Sequence, residues 1–236
     1  MKYSVAFIRE NFLFILGGIP VSLEVVAVAL LISTPLGFIL ALLRNKKIPV
    51  IDQLLALYVS FMRGTPLIVQ IFIMYSGGPR FLNALVKQMG LEIDVFGVNP
   101  IHYAFAVFSI NSTAFMCEVF RSALASVGKE QMEVAVSVGL TKAQAYRRII
   151  LPQAMVSAIP NICNNTLKLF KNTSLVYVMS IMDITGRAKY AAGEGYNYIE
   201  AYTMIFIVYI VICLLMERGF AMLEDRLKVF RKPLAA

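Results

Sequence analysis

The sequence predicts an all-α integral membrane protein of about five transmembrane helices, with its N-terminus outside and its C-terminus in the cytoplasm. Three observations carry this. Of the 236 residues, 59% are hydrophobic and only 15% are charged. The mean hydropathy is +0.73, and a soluble fold of this size could not hide that much apolar surface. The Lys and Arg residues behind the net charge of +8 are concentrated between the apolar runs. That pattern suits anionic head groups and topology signals better than nucleic acid.

The elements follow in order. The first apolar run extends from Phe12 to Leu43, with Glu24 as its only charge and Pro20 and Pro35 as punctuation. This length suits one tilted helix, or a short interfacial helix followed by a span. Arg44-Asn45-Lys46-Lys47 and then Pro49 end it. The second run, Leu54 to Tyr75, is interrupted by Arg63-Gly64-Thr65-Pro66. A polar loop with Gly77-Gly78-Pro79 is expected to reach Pro100. The third span covers about Ile101 to Val119, and the fourth begins near Pro152, carries Pro160 and ends near Phe170.

Thr173 to Met182 is apolar, but its ten residues would make a helix of only about 15 Å. A hydrocarbon core is about 30 Å thick, so this segment is expected to re-enter or to pack on the bundle. The last span covers about Tyr198 to Met216 and leads into a basic tail. No cleavable signal peptide is evident after Lys2, so the first run is expected to remain as an anchor.

Orientation follows from counting Lys and Arg. Segments 44–50, 121–151 and 217–236 hold three, five and five, whereas 77–100 and 168–197 hold two and four. Thirteen against six puts the first set in the cytoplasm, and an odd number of spans then puts the N-terminus outside.

Little points to chemistry. Cys117, Cys163 and Cys213 lie in apolar stretches, with no CxxC spacing, and read as buried hydrophobes. His102 is the only histidine, which argues against a His-rich metal site or a catalytic triad. No GxxxxGK[ST] loop, GxSG-type elbow or paired intramembrane aspartates occur. No catalytic residue, cofactor or metal is assigned.

The longest cytoplasmic loop, around 128–152, reads as a docking surface. Gly128 ends one helix. Lys129 to Val138 form a short helix with Met132, Ala135 and Val136 on one face. Gly139 takes the left-handed conformation that ends it, and Thr141 caps a second short helix up to about Ile150. Pro152 fits the opening turn of the next span. Small residues on the exposed side, Ala and Ser, would let another protein approach closely. An amphipathic helix lying on the lipid surface is the other physical reading.

Spacing separates the two. Glu133-x-Ala135-xxx-Gly139, nine residues, then Ile149-x-Leu151-Pro152 resembles the EAA motif of ABC importer permeases, with Val134 in place of its middle alanine. In that family the loop enters a groove on the ATP-hydrolysing subunit. Glu133, Ala135, Gly139, Leu140, Ile149, Leu151 and Pro152 are the docking residues this implies. Met62-Arg63-Gly64-Thr65-Pro66-Leu67-Ile68-Val69-Gln70 resembles the RGTPLxxQ segment of the polar amino-acid (histidine/glutamine-type) permeases. Glu118-Val119-Phe120-Arg121 and Lys171-Asn172-Thr173-Ser174-Leu175 are similar to two further segments of that branch.

The resemblance covers nearly the whole chain. It implies one permease domain, 1–236, in the type I importer arrangement, in the bacterial cytoplasmic membrane. It also implies two ATPase subunits, an extracytoplasmic solute-binding protein and a second permease subunit, identical or related.

Polar residues at membrane depth are costly and mark pathways, and broken helices free backbone groups to hold charged ligands. The candidate pathway is therefore Arg63, Gly64, Thr65, Pro66 and Gln70 with Asn164, Asn165, Lys171, Asn172, Thr173 and Ser174. Structural readings stand beside it: Arg63 as a snorkelling side chain, Asn164 and Asn165 as helix–helix hydrogen bonds, Lys168 and Lys171 as interface markers. Relatives that carry cationic amino acids often have a carboxylate where this chain has Asn165 and Asn172. The expected substrate is a neutral or acidic polar amino acid such as cystine, glutamine or glutamate. An ion-coupled secondary transporter of small polar solutes is the alternative, disfavoured by five spans without a buried acidic pair.

Overall fold

The structure, a computed structural model, describes residues 5–91, 94–127 and 129–227, and these are helical with no strand among them. α1 (Val5–Leu16) and α2 (Ile19–Asn45) are separated by a turn at Gly17–Gly18, so a short helix precedes the first span. The turn sits on the backbone of a later segment: a Cβ added at Gly18 would lie 2.4 Å from the Ile184 nitrogen.

Along α2, Ala29, Ser33, Gly37 and Ala41 recur every fourth residue and are all buried. Small residues at this spacing let helix backbones approach closely. The partner is α5 (Pro100–Ser126), which packs more extensively on α2 than any other pair of elements. A Cβ on Gly37 would come within 2.5 Å of the Met116 Cβ. Ser33 Oγ donates to Ser112 Oγ across the same contact at 3.0 Å. α5 begins at Asn99, whose side chain accepts from the Ile101 amide at 3.0 Å, an N-cap ahead of Pro100.

The interrupted second span is two helices, α3 (Pro49–Gly64) and α4 (Leu67–Gln88), bent by 104°. The expected loop from Gly77 is only partly a loop, because α4 continues through Gly77-Gly78-Pro79 to Gln88. Tertiary contact overrides the local breakers. A Cβ on Gly78 would sit 3.3 Å from the Tyr103 ring, and Tyr75 stacks edge-on against Tyr103.

α8 (Leu151–Asn172) packs against α5 and against α10 (Tyr198–Leu227). From α8 the chain tightens into a 3₁₀ helix, Thr173–Met179. Its three residues per turn put Thr173, Val176 and Met179 on one face, and all three are buried at 0% exposure. This segment packs on the bundle, as its length requires. Ser180 ends it in the left-handed conformation, φ 60°. Asp183 then caps α9 (Ile184–Gly195), which lies against α1 and α10.

Three described stretches are long and apolar enough to cross a membrane: Ala6–Asn45, Pro100–Ser126 and Tyr198–Leu227. The bent pair α3–α4 adds a fourth if it counts as one span. The remaining expected span, α8, has 22 residues, about 33 Å at the α-helical rise. A polar stripe, described below, holds down its hydropathy.

Candidate functional site

The break between α3 and α4 begins at Pro66, which has no amide to donate. The chain leaves the helix at Thr65 (φ −109°, ψ 144°) and restarts at Leu67. Thr65 Oγ1 donates to the Phe61 carbonyl at 2.8 Å. Gln70 Nε2 reaches Thr65 Oγ1 at 2.7 Å, and its Oε1 accepts from Asn111 Nδ2 at 2.9 Å. Arg63, the last turn of α3, is left beside Phe115.

On α8, Asn161, Asn164, Asn165, Lys168 and Asn172 recur at three- and four-residue intervals, one face of a helix. Asn165 is buried and donates to Ser112 Oγ at 3.2 Å. It thereby extends the Ser33–Ser112 bond into a chain across α2, α5 and α8. The other residues of the stripe face open space.

Two polar cavities result, and they share Arg63, Phe115 and Lys168. One, of about 310 Å³, is lined further by Glu118, Ser122, Asn161, Asn164 and Asn165. The other, of about 440 Å³, is lined further by Thr65, Pro66, Asn111 and Asn172. Lys168 Nζ lies 3.9 Å from the Phe115 ring centre, and the Arg63 guanidinium carbon lies 5.6 Å from it. Two cations thus lie beside one aromatic ring. Among the described residues neither forms an ion pair.

Glu118 is differently placed. It pairs with Arg121 and with Arg44 at 3.3 Å, and Arg44 also meets Asp52 at 3.3 Å. This network ties the ends of α2, α3 and α5 together at the charged rim of the first cavity.

The structure therefore places Arg63 on both cavities, Asn164 and Asn165 on the first, and Thr65, Pro66 and Asn172 on the second, whereas Gly64 lines neither. It places other candidates elsewhere. Gln70 is 8% exposed and lines neither polar cavity, because its amide is engaged behind the break. Thr173 is fully buried and lies 3.4 Å from Tyr209 Oη. Lys171 points away on the exposed side of α8, and Ser174 lines neither cavity. Phe115, Asn111 and Asn161 are not among the residues the sequence singles out, and Lys168 reads there as an interface marker. The four-residue steps from Asn161 to Asn165 and from Lys168 to Asn172 were a readable signal. Nothing local distinguishes Phe115 from the other 15 phenylalanines.

The candidate docking loop has the expected local chemistry. α6 (Lys129–Ser137) ends in a Schellman motif: Leu140 N donates to the Ala135 carbonyl at 3.1 Å and Gly139 N to the Val136 carbonyl at 3.0 Å. Gly139 has φ +90°, a value that side chains with a Cβ resist. Thr141 and Gln144 form a capping box that opens α7 (Lys142–Ala145).

Three features differ from expectation. The second short helix does not stop before the next span. It runs through a π turn, Tyr146–Ile150, straight into α8. Pro152 cannot donate to the Arg148 carbonyl, and the ladder shifts to Leu151 N bonding the Tyr146 carbonyl just ahead of it. Ala135 is 1% exposed on a helix that packs against α7 and the π turn, so its small size serves packing within the loop. Val136, expected beside it, faces outward with Val134 and Val138. Glu133, Gly139 and Pro152 are exposed, and Leu140, Ile149 and Leu151 are half-buried. Gly128 lies outside the described residues.

Comparison with known proteins bears on this geometry. The family described as binding-protein-dependent transport system inner membrane component matches residues 33–229. The L-cystine transport system permease protein TcyL of Bacillus subtilis (strain 168) is 39% identical over 210 residues, 89% of this chain and 85% of the relative. The probable amino-acid permease protein YxeN of the same organism is 36% identical over 219 residues, 93% of this chain and 92% of the relative. Among solved structures, an amino acid ABC transporter crystallised with histidines superposes with a TM-score of 0.81 at 27% identity, covering 96% of this chain and all of that one.

Proposed function

Because the chain belongs to the binding-protein-dependent transport system inner membrane component family, we propose that it carries an amino acid of the cystine class through the cavity between α3, α5 and α8. The chain is the transmembrane subunit of an ATP-driven ABC importer of amino acids, in the cell membrane. It is not itself an enzyme, since a separate subunit hydrolyses ATP. It works with that ATPase and with a solute-binding protein.

One observation carries the substrate reading. Arg63 and Lys168 both approach Phe115 beside a polar cavity, and among the described residues neither forms an ion pair, the nearby Glu118 being taken up by Arg44 and Arg121. Such a site suits a carboxylate-bearing ligand through charge-assisted hydrogen bonds. A ligand with net positive charge would meet two cations, amides at Asn165 and Asn172, and a Glu118 carboxylate already paired with Arg44 and Arg121. Cystine has two carboxylates and no net positive charge, and the similar Bacillus protein is named for it.

The finer arrangement follows the same reading. Two ATPase subunits take up the loops at 128–152 through the exposed Glu133, Val134, Val136 and Gly139. A second permease subunit covers the polar stripe of α8, which lipid would not tolerate. ATP closes the ATPase pair, the loops move together, and the cavity opens alternately to each side.

The test is binding of radiolabelled L-cystine and L-arginine to the purified permease–ATPase complex without its binding protein. Cystine is expected to bind and arginine to bind at least about tenfold more weakly. Asn165→Asp with Asn172→Asp is expected to reverse that order. Preferential arginine binding by the unaltered complex overturns the substrate reading.

A further inference from the structure

Pro66 removes one donor from the middle of the second span. In an unbroken helix the amide of residue 66 would serve the Met62 carbonyl. That carbonyl is not left bare. Gln70 Nε2 donates to it at 3.1 Å and Asn111 Nδ2 at 3.3 Å. The two amides are themselves joined, Asn111 Nδ2 donating to Gln70 Oε1 at 2.9 Å. Gln70 Nε2 also serves Thr65 Oγ1 at 2.7 Å and the Thr65 carbonyl at 3.3 Å. Both side chains are buried, at 8% and 6% exposure. A buried network of this kind is rigid because its members hold one another in place.

The network holds the residues that matter for the cavity. Met62 precedes Arg63 in the chain. Asn111 stands one turn before Phe115 on α5, and so shares its face. The clamp therefore fastens the end of α3 to the strip of α5 that carries the ring both cations approach. Gln70 itself faces the opposite side of the break, where it lines an apolar cleft of about 190 Å³ with Val69, Ile73 and Met74.

We infer that Gln70, together with Asn111, is a positioning residue for transport: it binds the carbonyl orphaned by Pro66 and so fixes the Arg63 guanidinium over Phe115. This assignment rests on the cavity being the substrate site. It moves Gln70 from the pathway itself to the scaffold behind it.

The experiment measures binding of radiolabelled L-cystine to the full permease–ATPase complex, free of binding protein, for four variants: Arg63→Ala, Gln70→Leu, Gln70→Glu, and Arg63→Ala with Gln70→Leu. Arg63→Ala and Gln70→Leu are each expected to weaken binding roughly tenfold, since a displacement of about 1 Å is enough for such a loss. Gln70→Glu keeps the shape and the acceptor for Asn111 but loses the donor to Met62. It is expected to behave like Gln70→Leu, and it decides the matter if the leucine variant does not assemble. In the double variant, loss of Gln70 is expected to cost less than about twofold beyond Arg63→Ala, because both act through one guanidinium. Normal binding by both Gln70 variants beside weakened Arg63→Ala overturns the positioning role and leaves the cavity reading standing. Fully additive losses also overturn it. Normal binding by Arg63→Ala overturns both.

Discussion

The Lys168 ammonium lies 3.9 Å from the centre of the Phe115 ring, on the side chain that also receives the Arg63 guanidinium. Two cations thus meet one ring, and among the described residues neither forms an ion pair. A cation–π contact of this kind is worth about 1 kcal/mol, so the pair is placed at modest cost and remains open to an anion. Phe115→Leu keeps the apolar volume and removes the ring quadrupole. ATP-driven cystine uptake by proteoliposomes holding the ATPase and binding protein is expected to fall about fivefold, with the complex intact. Uptake equal to that of the unaltered protein shows that the ring does not organise the cations.

Gly139 has φ +90° at the end of α6 and nothing within 4 Å of where a Cβ would be. Strain there is therefore purely conformational, about 1–2 kcal/mol for any residue with a side chain. Gly139→Val is expected to unravel the Schellman end of α6 without disturbing the bundle. ATP hydrolysis would continue while uptake falls at least about tenfold, with normal amounts of complex in the membrane. Unchanged uptake in Gly139→Val removes the docking role proposed for the loop.

Two other glycines make a matched pair. A Cβ on Gly18 would lie within 2.6 Å of three backbone atoms of Asp183 and Ile184, whereas one on Gly64 meets nothing within 4 Å. Backbone cannot step aside, and overpacking costs about 1–3 kcal/mol. Gly18→Ala is expected to lower the thermal midpoint of the detergent-solubilised protein by several degrees. Gly64→Ala is expected to leave it within about a degree or raise it, since Ala is the better helix former. The reverse ranking, measured by circular dichroism, would show the α1–α2 turn is not seated on Asp183 and Ile184.

Asp183 is fully buried. One carboxylate oxygen accepts from the Gly186 amide at 2.7 Å, and the other has no hydrogen-bond partner among the described residues. Burial, opposed by that amide, pushes its carboxyl up to about 6. The folded value lies above the unfolded one of about 3.9, so the folded state holds the proton more tightly. The stability this provides is complete below about pH 4 and is lost as pH rises through about 6, a loss of roughly 2–3 kcal/mol. Asp183→Asn keeps the cap acceptor and abolishes the titration. Its unfolding midpoint is expected to exceed that of the unaltered protein at pH 7.5 and to match it at pH 4. A constant difference across that window sinks the assignment.

Much of this molecule is local and was readable. Apolar length and interleaved charge determine the spans, because a bilayer core demands an apolar run of a given extent. The Schellman turn at Gly139 and the capping box at Thr141 follow from a few adjacent residues, since both close rings within six positions. The run from Thr173 to Met182 is too short to cross, and it packs where that shortness leaves it. The interruption at Arg63 to Pro66 could be seen because Pro lacks a donor.

What replaced that donor could not be read locally. Asn111 lies 49 residues from Met62 in the chain, and Asn165 lies 53 from the Ser112 it bonds. Partners at such separations are brought together only by helix packing. Packing also turned Ala135 inward, carried α4 through Gly77-Gly78-Pro79, and chose Phe115 as the ring that two cations approach. Sequence by itself determined that polar groups would stand at membrane depth, because their cost in lipid makes them conspicuous. Only the tertiary structure decided which of them face the cavity and which hold it open, because that depends on the helix each one meets.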